Sequence, residues 1–184
     1  MAMLDLRWQG NGIARLTHAT DVLSSGQKYT ALRRALNHTG NATFTIVKRT
    51  LSKQIGAPQH AIVKYGLVKT TRASNASLEY RITARGGPIP LKYFGANQTK
   101  KGVSARPWGN RKLYRTAFIV DSMGGHAFWR QGKERLPIER IAGPNVPKEM
   151  VKDATAMAFY QTVSTRLPTR VAHEVKLITN GVFS

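Results

Sequence analysis

Acidic residues and cysteines are scarce in this sequence. Its 184 residues include 9 Asp and Glu against 29 Lys and Arg, which gives a formal net charge of +20. The absence of cysteine excludes disulfides and thiolate metal sites. No apolar run approaches the roughly 20 residues that cross a bilayer, and Met1 to Gly12 lacks the apolar core of a signal peptide. We therefore expect one soluble domain without a membrane contact, and either an anionic partner or a solvated basic surface.

Patterns of catalytic or metal-binding residues are also lacking. The five histidines are scattered, with no pair spaced to place two imidazoles on one helix face. Glu134 and Glu139 are the densest pair of acids, and they bracket arginines with which we expect them to pair. No phosphate-cradling G-x-x-x-x-G-K-[ST] loop is present, and Gly124-Gly125 is typical of a hairpin turn. The sequence predicts no enzyme, no cofactor and no metal site.

The positive charge is concentrated in the middle of the chain. Residues 22–120 hold 18 bases and one acid, Glu79, whereas residues 121–184 hold nine bases and six acids. An asymmetry of this size indicates an electrostatic surface that faces one direction.

Helices are predicted at both ends of the sequence. Apolar residues at helical spacing predict a long amphipathic helix from about Gln27 to Gln54. The periodic positions of this long helix are Tyr29, Leu32, Leu36, Thr39, Thr43, Ile46, Thr50 and Ile55. A shorter helix is predicted over 59–64. Near the C-terminus, a helix beginning at Pro147 has an apolar face that includes Met157 and Phe159. Pro168 interrupts it, and either a further helix or a kinked continuation follows to about Thr179.

Strand patterns fill the region between the helices. Alternating apolar and polar residues predict a strand over 78–85, and further strands are expected at 67–71, 113–120 and 127–130. Pro88-Ile89-Pro90 cannot pair as a central strand, so Leu91 to Phe94 is expected to be an edge or a loop. Gly95 to Gly102 is predicted to be a flexible excursion.

This order of elements predicts an α+β domain, in which a long N-terminal helix and C-terminal helices pack on one face of a small, mostly antiparallel sheet with long basic loops. Residues 27–184 would form this domain, with helices in 27–64, sheet and loops in 67–142, and helices in 147–180. Residues 1–26 would precede it, with a short helix at Ile13 to Leu23.

Several glycine- and proline-rich motifs in one order resemble the prophage minor tail protein Z family. They are Arg85-Gly86-Gly87-Pro88-Ile89-Pro90-Leu91, Phe94 to Ser104, Ala117-Phe118-Ile119, Gly125-His126, Arg135-Leu136-Pro137-Ile138 and Gly143-Pro144-Asn145-Val146-Pro147. The resemblance covers roughly residues 28–165. One departure from the family pattern is the turn Pro107-Trp108-Gly109-Asn110, where a basic-glycine turn is usual.

The resemblance implies a structural role in long-tailed bacteriophages. A protein of this family is expected to be a tail completion or neck component at the head-proximal end of the tail tube, in a ring around the DNA channel that is commonly six-fold. Its expected neighbours are the tail terminator and the head-closure or connector proteins. It would be found in the virion, and in the host cytoplasm during assembly.

Loop bases in the middle of the chain are the candidates for contact with DNA phosphates or a neighbouring ring: Lys92, Lys100, Lys101, Arg106, Arg111 and Lys112. Solvation of the same bases is the alternative. Trp108, Tyr93 and Phe94 are candidates for base stacking or subunit contact. A second functional class stays open, because +20 alone also fits a host protein that binds nucleic acid on the ribosome or nucleoid.

Overall fold

The computed structural model describes residues 2–7 and 25–179 of the chain. Four α-helices lie in these ranges: α1 (Ser25–Ile55), α2 (Gln59–Gly66), α3 (Val146–Met150) and α4 (Asp153–Ile178). The strands in the same ranges are β1 (Ala2–Arg7), β2 (Val68–Thr71), β3 (Glu79–Ala84), β4 (Pro88–Pro90), β5 (Asn97–Thr99), β6 (Gly102–Ala105), β7 (Lys112–Arg115), β8 (Phe118–Val120), β9 (His126–Arg130), β10 (Ile138–Arg140) and β11 (Ala142–Asn145). Helices combined with small antiparallel sheets confirm the predicted α+β class.

Helix α1 is the long amphipathic helix that the periodicity predicted. Its second half buries Val47 and Leu51, whereas the sequence pattern had selected Ile46 and Thr50. Four residues turn a helix by about 400°, so each four-residue step rotates the buried stripe by about 40°. The buried face therefore drifts along the helix, and α4 packs along it in the most extensive contact between elements of the described chain.

Gly40 marks the point where α1 approaches the sheet. A Cβ atom added to Gly40 would lie 2.3 Å from Cγ of Tyr80 on β3. The Tyr80 side chain is 1% exposed, and its hydroxyl donates a hydrogen bond to Oδ1 of Asn41 at 2.9 Å. Only glycine leaves room for the ring at this position.

The sheet nearest α1 has the order β1-β3-β2, and both of its strand pairs are antiparallel. Strands β2 and β3 confirm the strands predicted at 67–71 and 78–85. Residues 2–7, predicted to precede the domain, form β1, because Leu4 is buried opposite Ile82 and the Asp5 carboxylate pairs with Nε of Arg81 at 3.1 Å. The helix predicted at Ile13 to Leu23 lies outside the described residues.

The strand predicted over 113–120 is wrong as a single element. Thr116 has a φ of 60°, a left-handed conformation that turns the chain out of one sheet and into another. Strand β7 pairs with β6, whereas β8 pairs with β9. The described strands therefore form four small sheets: β1-β3-β2, β5-β6-β7, β8-β9-β10 and β4-β11.

Two loop predictions have different outcomes. The segment Gly95 to Gly102, predicted to be a flexible excursion, contains β5 and the turn that leads into β6, so it forms part of a β-hairpin. Among the described strands, β4 pairs only with β11, as expected for a proline-flanked segment that cannot be central. Residues Leu91–Phe94 follow as a short 3-10 helix that buries Leu91 and Phe94.

Helix α4 runs through Pro168 as one element. Of the two predicted alternatives, the helix therefore continues past the proline, and no separate helix follows it in the part of the chain that the structure describes. Met157 is 62% exposed, and its predicted place on the apolar face is wrong. Phe159, predicted on the same face, is buried, because residues two apart point about 200° away from each other on a helix and cannot share one face. In the described ranges, no helix has an apolar stretch long enough to cross a bilayer.

The helix ends are joined by a partly buried polar network centred on Gln54. Its Oε1 accepts hydrogen bonds from the backbone N–H of Thr155 at 3.0 Å and from the Thr155 hydroxyl at 2.7 Å. Its Nε2 donates to the backbone carbonyl of Glu149 at 3.0 Å. A side chain of α1 therefore caps an otherwise unpaired N–H in the first turn of α4.

The ion pairs predicted for Glu134 and Glu139 are not formed. Glu139 Oε2 accepts hydrogen bonds from Nε1 of Trp129 at 3.1 Å and from Nε2 of Gln131 at 3.3 Å. Within residues 2–7 and 25–179, neither acid lies within 4 Å of a lysine or arginine nitrogen. Pairing of β10 with β9 places the Glu139 carboxylate beside neutral donors on β9 and directly after its end.

Candidate nucleic-acid interface

Strands β5, β6 and β7 form a three-stranded sheet that we call the basic sheet. Five of the six predicted contact bases lie at its two ends, all of them exposed. These bases are Lys100 and Lys101 at one end, and Arg106, Arg111 and Lys112 at the other. The four residues of β6 span about 10 Å, since each step along a strand adds about 3.4 Å.

The first end is the turn between β5 and β6, which presents Lys100 and Lys101. The Thr99 hydroxyl donates to the Gly102 carbonyl at 2.8 Å and accepts from the Lys101 N–H at 3.3 Å, so one side chain holds the turn. Gly102 has a φ of 136°, and a Cβ there would lie 2.1 Å from the Tyr114 carbonyl oxygen. The turn therefore requires glycine where the third strand passes.

The second end is the loop between β6 and β7. Ala105 pairs with Lys112, which closes the loop, and Nη1 of Arg111 donates to Oγ of Ser104 at 2.8 Å. Trp108 stands in this loop with a φ of 54° and is 47% exposed. A pocket of about 460 Å³ opens here, lined by Pro107, Trp108, Asn110, Arg111 and Lys112.

Lys92 lies apart from the basic sheet. Its Nζ donates to the Gly124 carbonyl at 3.0 Å, in the connection between β8 and β9. The same nitrogen lies 5.4 Å from the ring centroid of Tyr93, a cation–π distance. The structure does not bring this sixth predicted base together with the other five.

Among the described residues, the bases of the basic sheet have no acidic partner. In the part of the chain that the structure describes, none of the five lies within 4 Å of a carboxylate. The surrounding stretch of sequence supplies no partner, because no Asp or Glu occurs between Glu79 and Asp121. Unpaired, exposed bases at both ends can bind phosphate oxygens without first breaking an internal ion pair.

Two charged features of this region were missed from the sequence. Arg115 is exposed and lies opposite Gly102, next to Lys101, so it adds a third base to the first end. His126 lies in a positive environment on the neighbouring sheet, where burial first, and then the charges of Lys92 and Arg140, lower the pKa of its imidazole. Arg115 is placed by strand register, and His126 is affected by a lysine 34 positions away, so the sequence carried no signal for either.

The candidate aromatic residues are placed very differently. Trp108 is exposed between the basic residues Arg106 and Arg111, which suits stacking on a nucleobase. Phe94 is 3% exposed and lies against Gly143, so the expectation that it contacts a base or another subunit is wrong. Tyr93 is half-buried, and its hydroxyl lies 3.4 Å from that of Tyr65, whose pKa is raised mainly by this hydrogen bond and then by burial.

Among the described residues, no group of three histidine or carboxylate side chains is arranged to hold a metal ion. Comparison of the chain with protein-family models, with curated proteins and with solved structures gives no match.

Proposed function

We propose that this chain is a structural protein of a bacteriophage virion. It acts as a tail completion or neck component, one segment of a hexameric ring at the head-proximal end of the tail tube. The tail terminator and the head-closure or connector proteins are its neighbours, and the phage DNA passes through the ring. The protein is made in the host cytoplasm and ends in the virion.

The ordered series of motifs shared with the minor tail protein Z family carries this proposal. Several of these motifs meet in the folded chain, although they are far apart in sequence. Pro88 pairs with Asn145, and the Phe94 ring lies against Gly143. These motifs thus belong to one structural unit, which supports treating them as a single family signature.

The basic sheet supplies the DNA contact in this proposal. Its exposed basic residues lie at both ends of β6, a strand of about 10 Å, so they can contact phosphates at two separate points of a duplex. Phosphate contacts do not depend on the nucleotide sequence, which suits a channel through which a whole genome passes.

The oligomeric state of the isolated protein tests the proposal. We expect sedimentation and negative-stain images to show closed rings, with a mass of about 122 kDa for six copies of the 20.4 kDa chain. A monomer or dimer that co-purifies with host nucleic acid would contradict the ring and favour the ribosome- or nucleoid-associated alternative. Nuclease treatment before sedimentation separates true rings from chains held together by nucleic acid.

A further inference from the structure

A second group of basic side chains lies far along the chain from the basic sheet, where α1 and α4 pack together. It surrounds a pocket of about 350 Å³. The lining residues are His38, Thr165, Arg166, Thr169, Arg170 and His173. Each of the six side chains can donate a hydrogen bond, and no carboxylate lines the pocket.

Helix geometry explains why these residues converge. Thr165, Thr169 and His173 are four residues apart, as are Arg166 and Arg170, so all five share one face of α4. Helix α1 runs antiparallel to α4, because Gln54 near its end bonds Thr155 near the start of α4. This direction brings His38, four turns earlier on α1, to the far end of α4.

The charges in this pocket are only partly compensated. Nη2 of Arg170 pairs with Oε1 of the buried Glu174 at 2.5 Å, while Nε of Arg170 is buried without a hydrogen-bond partner. Arg166 is exposed, and in the described ranges no carboxylate lies within 4 Å of its guanidinium. One full positive charge, that of Arg166, is therefore available at the pocket.

We infer that this pocket binds a phosphate group. Guanidinium groups match the oxygens of phosphate in a two-pronged geometry, and the threonine hydroxyls and imidazoles supply further donors. The pocket volume lies within the range of small-ligand sites, so a phosphate that belongs to a larger molecule also fits. This inference does not depend on the ring or on the basic sheet.

Titration calorimetry with inorganic phosphate, at constant ionic strength set by chloride, tests the inference. We expect saturable binding with a Kd on the order of 1 mM. Arg166→Gln should weaken binding at least about tenfold, because it removes a charge-assisted hydrogen-bond donor. Arg49→Gln is the matched control, since Arg49 is an exposed arginine on α1 outside the pocket, and it should leave the Kd unchanged.

Three results would overturn the inference: no saturable binding by the parent protein, an unchanged Kd in Arg166→Gln, or an equal loss in Arg49→Gln. Circular dichroism and the thermal midpoint confirm that both variants are folded. A short DNA duplex provides a second arm that identifies the source of the phosphate. If Arg166→Gln also weakens duplex binding, the pocket takes a backbone phosphate; if only inorganic phosphate is affected, it takes a small ligand.

Discussion

Replacing Gly40 with alanine is expected to destabilise the fold by about 3 kcal/mol, although alanine favours a helix by about 1 kcal/mol over glycine. The new methyl group would overlap Cγ of Tyr80, the ring atom nearest to the β3 backbone. The ring cannot move away, because β3 is paired on both sides and the Tyr80 hydroxyl is bonded to Asn41. Denaturant unfolding measures the loss.

Gly132→Ala is the matched control for this prediction. A Cβ added to Gly132 meets nothing within 4 Å, so the same chemical change should leave the free energy of unfolding nearly unchanged. The Tyr80→Ala background removes the ring, and there Gly40→Ala should lose its penalty. Stability of Gly40→Ala equal to or above that of the parent would show that the helix and sheet do not touch as described.

Removing the four bases Lys100, Lys101, Arg111 and Lys112 together, as glutamines, is expected to weaken binding to a non-specific DNA duplex more than about a hundredfold at about 50 mM salt. Each phosphate contact releases condensed counterions, so log K falls with log salt by about 0.9 per contact. The parent should show a steep salt slope, and the slope of the variant should be smaller by about 3 to 4. Fluorescence anisotropy across a salt series measures both.

A second quadruple variant separates local contact from overall charge. Lys133, Arg135, Lys148 and Lys176 are exposed and lie outside the basic sheet. Changing them to glutamine also removes three lysines and one arginine, yet it should alter the slope far less. Equal losses in the two variants would reduce the effect to net charge, and no binding by the parent at low salt would remove DNA contact from the account.

Local patterns were sufficient for the existence of helix α1 and for the fold class. The periodicity of α1 and the alternation around β3 are properties of neighbouring residues, so the sequence displays them directly. The reason for Gly40 was not visible, because its partner Tyr80 lies 40 positions further along the chain. The break at Thr116 was hidden in the same way, since a continuous strand-like pattern concealed a change of sheet.

The candidate site was predictable in charge and unpredictable in arrangement. The stretch without acidic residues predicted five exposed basic residues. The position of Arg115 beside Lys101 follows only from the strand register. Lys92 has the same composition signal, yet its Nζ is engaged by the Gly124 carbonyl on another sheet. The sequence did not predict the α1–α4 pocket, because the lining residues His38 and Arg166 are more than a hundred positions apart.

Imaging the junction of head and tail in particles of a phage whose genome encodes this chain is the most direct test of the proposed neck role. Reconstruction of this region, with a tagged copy of the chain to mark its position, should reveal a ring of this α+β fold around the channel, with the basic sheet towards the DNA. Particles that have a complete junction without density for this chain would contradict the account.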